Sequence, residues 1–236
     1  MSEDTGSKTG WGILLGGDQF DLEDWQETLK PPFDPWITKT DDGLILRGPL
    51  LDSATTSSEA HYRGMELLAQ ANGALGASRK TGIVRLEAVV EFLPDGRRQR
   101  HTILWFRASD ARDRARMVVA VGPDGNPPPP EPSVPQSWLA IAAKNDLLAD
   151  ALRYFGRGES WFDMYKALEC IEDMVRGQHR LTELGCVSAG EIRRLKQTAN
   201  SYARHRRGRF DPGDMEITEA RELLRRLIAS AFATAT

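Results

Sequence analysis

Apolar positions change their period along this chain. The first half carries short runs punctuated by Gly, Asp and Pro; the second half repeats its apolar residues at helical spacing. Trp11–Leu15 is an apolar run closed by Gly16-Gly17-Asp18, which predicts a short strand. Phe20, Leu22, Trp25 and Leu29 are spaced close to a helical stripe that Pro31-Pro32 stops. Trp36–Lys39 and Leu44–Arg47 flank Asp41-Asp42-Gly43, a hairpin signal. Thr56-Ser57-Ser58-Glu59 is a capping-box pattern, and the helix it opens is expected to end near Ala71, with Asn72-Gly73 as its stop. Residues 83–93, 99–107 and 114–121 are rich in β-formers and predict an antiparallel meander. Together these elements predict an α+β domain over residues 11–121, preceded by a disordered tail at 1–10.

Residues 122–136 concentrate prolines, including Pro127–Pro130, and read as a semi-rigid linker. A proline-rich ligand for a partner's groove is the alternative reading. Beyond it, four apolar stripes follow. Trp138, Ile141, Leu148, Leu152 and Phe155 make the first. Trp161, Met164, Tyr165, Leu168, Ile171 and Val175 make the second. Ile192, Leu195, Ala199 and Tyr202 make the third, and Ile217, Ala220, Leu224, Leu227, Ile228 and Ala231 the fourth. Ser160 and Ser188 are expected N-caps, and Gly156, Gly177 and Gly208 stand where helices are expected to end. Amphipathic helices bury their stripes against one another, so residues 137–236 are expected to form a four-helix bundle.

Composition changes this picture little. The 236 residues are 40% hydrophobic and 28% charged, ordinary for a globular protein. Two cysteines are no disulfide framework, the polar start MSEDTGSKTG is no secretion signal, and no apolar run approaches membrane-spanning length. These features predict a soluble, cytoplasmic protein without membrane association. Charge changes the picture more. The net charge is −3, yet Arg176–Arg209 holds nine basic residues against two acids.

That window contains Ser188–Arg209, SAGEIRRLKQTANSYARHRRGR, where periodicity, charge and reactive side chains meet. Ser188 and Glu191 make a capping box. Helical spacing puts Ile192, Leu195, Ala199, Tyr202 and Ala203 on one arc, Arg193, Gln197, Asn200 and Arg204 on the next, and Arg194, Thr198, Ser201 and His205 beyond. Asn200, Arg204 and His205 are therefore the candidate reactive group: histidine titrates near neutrality and arginine stabilises phosphate charge. Arg193, Arg194, Lys196, Arg204, Arg206, Arg207 and Arg209 are the candidate nucleic-acid contacts, RNA or DNA, through phosphate neutralisation. A solvated helix face complementing its own dipole, or a socket for an acidic protein partner, accounts for the same charges.

A helical bundle carrying Asn200-Ser-Tyr-Ala-Arg-His205 on its third helix resembles the HEPN superfamily over about 100 residues from Ser137 onward. The resemblance implies nucleic-acid binding or defence-related roles, and a site shared across a homodimer. Ribonuclease members carry Arg, four to six residues, then His. Here Asn200 stands in place of that arginine, so the resemblance implies binding more than intact metal-independent ribonuclease activity. The stretch from Thr198 through His205 to Met215 and Glu219-Ala220 also resembles a pattern in bacterial proteins, which implies a bacterial source and no particular activity.

Other candidates are weaker. Gly16-Gly17-Asp18 lacks the continuations of a nucleotide loop. Asp18, Asp21, Glu23 and Asp24 suit either a divalent cation or a helix N-terminus. Cys170, His179, Cys186 and His205 match no zinc spacing. His61 and His101 have no partners in sequence, and the tryptophans lie mostly on apolar stripes. No metal and no cofactor is expected. The resulting expectation is an interaction or nucleic-acid-binding protein, with a HEPN-type ribonuclease and a non-catalytic complex subunit as alternatives.

Overall fold

The computed structural model describes residues 9–102, 130–158, 160–205 and 214–235, with the side chains of 102 and 203–205 excluded. The expected strand at 114–121, most of the proline-rich linker and Arg206–Arg209 lie outside the described residues. The protein is α+β, an antiparallel sheet with helices followed by C-terminal helices. Two compact units are present. One comprises the described residues of Met1–Gly64 and Val84–Gln136, the other those of Met65–Ile83 and Ser137–Thr236.

Among the described residues, the first unit is built on a five-stranded sheet, ordered β2-β3-β1-β4-β5 and antiparallel throughout. The strands are β1 (Gly10–Gly16), β2 (Trp36–Thr40), β3 (Gly43–Arg47), β4 (Arg85–Phe92) and β5 (Arg98–Thr102). The hairpin foreseen at Asp41-Asp42-Gly43 joins β2 to β3, with Thr40 opposite Gly43. β1 is the central strand and is buried from Trp11 to Gly16. A strand covered on both faces has no reason to alternate, which is why this segment reads as a continuous apolar run. Helix α1 (Gln19–Thr28) begins at Asp18, whose carboxylate accepts the Phe20 N–H at 2.9 Å.

Among the described residues of this unit, one charged side chain lies deep. Arg47, at the end of β3, is 7% exposed in its side chain. It donates to Asp52 Oδ1 at 3.1 Å from the short helix α2 (Pro49–Asp52) and lies 4.1 Å from the Phe92 ring centroid.

A second polar anchor ties down the loop after α1, where the peptide bonds before Pro32 and Pro35 are cis. The expected linker ends earlier than residue 136, because helix α4 (Val134–Ala142) already begins at Val134. Gln136, 2% exposed, donates its Nε2 hydrogens to the carbonyls of Lys30, Phe33 and Pro35 at 2.9, 2.9 and 3.0 Å. Its Oε1 accepts from the Ser133 N–H and hydroxyl. Gln136→Ala leaves these groups unpaired and is expected to cost about 2 kcal/mol. Gln136→Glu, nearly the same shape, turns an acceptor toward three carbonyls and is expected to cost more. Urea denaturation of both variants checks the order, and a harmless Gln136→Glu contradicts the donor role.

Helix α3 (Ser57–Arg79), which belongs to the second unit from Met65 onward, runs well past its expected end at Ala71. Asn72-Gly73 is helix interior, because Gly73 is needed for packing and not for stopping. A Cβ on Gly73 would sit 2.1 Å from the Leu152 carbonyl oxygen of α5 (Asp146–Arg157). A Cβ on Gly156 would sit 1.9 Å from the Ala69 carbonyl oxygen. The two helices therefore cross at backbone contact, each presenting a glycine. Gly156 is likewise inside its helix, one residue before the end of α5.

The expected first stripe is two helices, since α4 ends at Ala142 and Asn145 caps α5 by accepting the Leu148 N–H at 3.2 Å. The other helices are α6 (Trp161–Met174), α7 (Gln178–Glu183), α8 (Ala189–His205) and α9 (Ile217–Thr234). α7 has too short a stripe to register in the sequence. α6 packs on α5, α8 and α9, and α5 packs on α9, around Phe155, Leu168, Ile171, Leu195, Leu224 and Ile228. α6 closes with paired terminal bonds, Gly177 N–H to Glu172 O and Arg176 N–H to Asp173 O. Arg176 holds the left-handed position of this motif, φ 63°, where glycine is the usual residue.

Candidate nucleic-acid interface on α8

α8 is fixed at its start by the capping box that Ser188 and Glu191 predict. Ser188 Oγ accepts the Glu191 N–H at 3.2 Å, and Glu191 Oε2 accepts the Ser188 N–H at 2.7 Å. The same carboxylate receives Arg226 of α9 at 2.8 Å on its other oxygen, and Arg226 also donates to the Cys186 carbonyl. The Arg226 hydrogen bond, and then those from Ser188, lower the Glu191 pKa from 4.5 to about 2.

A depressed carboxylate pKa contributes stability above the unfolded-state pKa, and that contribution is lost as pH falls through the folded one. The window is thus pH 4.5 down to about 2. The Glu191 side chain is 36% exposed, so solvent screening reduces the effect. Urea stability measured from pH 7 to 2 should fall more steeply below pH 4.5 for wild type than for Glu191→Gln. Parallel curves contradict the assignment.

The expected core arc is correct where it is described. Ile192, Leu195 and Ala199 are buried, and half-buried Tyr202 stacks on Trp161 with ring centroids 5.6 Å apart. Thr198, expected on an outer polar arc, is instead 1% exposed. Its Oγ1 accepts the Met215 N–H at 2.9 Å, which fixes the chain just before α9. Sequence spacing carried no signal for this role, because the acceptor's partner lies seventeen residues on.

The expected cations divide into two groups. Arg194 donates to Glu219 Oε1 at 2.7 Å and to the Asp214 carbonyl at 2.8 Å. Lys196 donates to Glu172 at 2.5 Å and Gln178 at 3.2 Å. Both join α8 to its neighbours. Arg193 and Gln197 are exposed and Asn200 is half-buried, forming an open polar strip that Arg204 extends by helical position.

The backbone places Asn200 and Arg204 about 40° apart around α8, and His205 about 140° from Asn200. The side chains of Arg204 and His205, and all of Arg206, Arg207 and Arg209, lie outside the described residues. On the described residues, then, the strip offers one guanidinium and two amides, a surface able to hold phosphate and base edges.

Several of the remaining candidates have local roles. Asp18 caps α1, and Glu23 accepts from Gln19 at 3.1 Å. Cys170 is buried, and burial pushes its thiol pKa up. His179 pairs with Glu183 at 3.1 Å, and His101 lies 5.5 Å from the Trp11 ring. Among the described residues, no three His, Cys, Asp or Glu side chains gather to hold a metal ion, and no helix is long and apolar enough to cross a membrane. Comparison with family models, with curated proteins and with solved structures finds no match.

Proposed function

We propose that this chain is a nucleic-acid-binding protein that holds a phosphate backbone along the open strip of α8 and the basic segment that follows it. The observation that carries this reading is the division of the cations. Arg194 and Lys196 are engaged within the fold, while Arg193 stands exposed beside Gln197 and Asn200. Arg193, with Arg204, Arg206, Arg207 and Arg209 in the sequence that follows it, is the basic set assigned to the polyanion.

Fluorescence anisotropy with labelled single-stranded and duplex RNA and DNA, at two salt concentrations, tests the reading. Binding is expected to weaken with a log–log slope of roughly −3.5 to −4.5, about 0.7–0.9 for each of five phosphates neutralised. Charge reversal at Arg193, Arg206 and Arg207 should abolish it. Arg194→Ala and Lys196→Ala should lower stability and leave the slope unchanged. No binding at low salt contradicts the proposal. If wild type also cleaves RNA and His205→Ala does not, a HEPN-type ribonuclease step is added to the binding role.

A further inference from the structure

A groove of about 410 Å³ in the helical unit stands apart from the α8 strip. It is lined by the end of α6, by α7, by Asn145 at the start of α5 and by the end of α9. Met174, Val175 and Leu184 are its apolar lining residues, and the exposed Arg176 and Arg180 line it too. Most arginines of the described residues sit in ion pairs or bond carbonyls, as Arg153, Arg194, Arg221, Arg225 and Arg226 do in this unit. Arg176 and Arg180 have no such partner among the described residues. Glu183, the acid lining the groove, pairs with His179.

Complementing the negative end of α6 explains the sign of one charge but not its position. The last turn of α6 carries no basic residue. A cation placed there would serve the dipole in relaxed helical geometry. Instead the charge is on Arg176, in the left-handed position where glycine is unstrained. The left-handed turn at Arg176 thus sets a cation on a residue that lines the groove.

We propose that this groove binds a small organic anion, with its phosphate or carboxylate head held between Arg176 and Arg180 and its apolar body against Met174, Val175 and Leu184. Two guanidiniums four residues apart present forked donors suited to such a head, and the apolar walls select for a body that inorganic phosphate lacks. The site is independent of the α8 strip, so either proposal can fail alone.

The test is a titration of the full chain with phenyl phosphate, benzoate and inorganic phosphate, followed by backbone amide NMR. Phenyl phosphate or benzoate is expected to shift resonances at 174–184 and 234–235, with a Kd on the order of 1 mM. Inorganic phosphate should bind at least about tenfold more weakly. Arg176→Gly should raise the Tm by relieving the left-handed strain and weaken binding by about tenfold, opposite signs that a structural role does not produce. Arg176→Lys should retain part of the binding, and Glu183→Gln should tighten it. No shift with either organic anion overturns the site. Arg176→Gly binding as wild type does overturns the assignment of Arg176, and equal affinity for inorganic phosphate overturns the organic ligand class.

Discussion

Gly156→Ala is expected to be among the most destabilising single-methyl changes in the helical unit. The added carbon would meet the Ala69 carbonyl oxygen at 1.9 Å and the Gly73 nitrogen at 2.4 Å, so neighbouring side chains cannot absorb the clash by rotating. The helices must separate by more than an ångström, and that opens packing along the whole crossing. Alanine's better helix propensity returns about 1 kcal/mol. The net loss should still be roughly 2–3 kcal/mol. Gly73→Ala meets the Leu152 carbonyl at 2.1 Å and should behave similarly. The double variant should lose less than the two single losses combined, because helices already pushed apart by one methyl accommodate the next. Gly190→Ala, near the start of α8 with only Ser188 Oγ at 3.8 Å, is the control and should stabilise. Denaturant unfolding of the four variants measures this. Additive losses, or a neutral Gly156→Ala, would show that the crossing is not in backbone contact.

Asp52→Ala carries the other large expected effect. It removes the Asp52 carboxylate from a guanidinium that is 7% exposed and lies against Phe92 and Trp36. Breaking a buried pair by removing one member costs about 3 kcal/mol, chiefly because the surviving charge stays desolvated. Asp52→Asn keeps an acceptor oxygen and should recover part of the loss. Replacing both members, Arg47→Met with Asp52→Ala, should be milder than Asp52→Ala alone, since the desolvated charge is then removed together with its carboxylate. Equal losses for the single and double variants would contradict the argument.

These two sites mark where sequence reading stops. Local signals were legible: Asp18 and Ser188 cap helices, Asp41-Asp42-Gly43 turns a hairpin, and the stripes of α6, α8 and α9 are buried as their spacing requires. Each depends on residues a few positions apart. Gly73 and Gly156 read as helix stops because a glycine's local meaning is chain termination. Their actual role is set by carbonyls 79 and 87 residues away in sequence, at Leu152 and Ala69.

The candidate site shows the same division. Helical spacing placed Arg193, Gln197 and Asn200 on one open strip. It gave no means of knowing that Glu219 and Glu172 engage Arg194 and Lys196. Charge counted along a sequence therefore exceeds the charge a surface presents to a partner.

The membership of residues 65–83 in the helical unit has a consequence for how the chain is made. Leu67, Leu68, Ala71 and Leu75 leave the ribosome long before the helices from 137 onward that share their unit. Until α9, about 140 residues later, has been synthesised, this segment waits without its full set of partners, among them Arg225, which bonds the Gly76 carbonyl. The order of synthesis is thus opposed to the order of closure, and the nascent chain passes through a stage in which aggregation competes with folding.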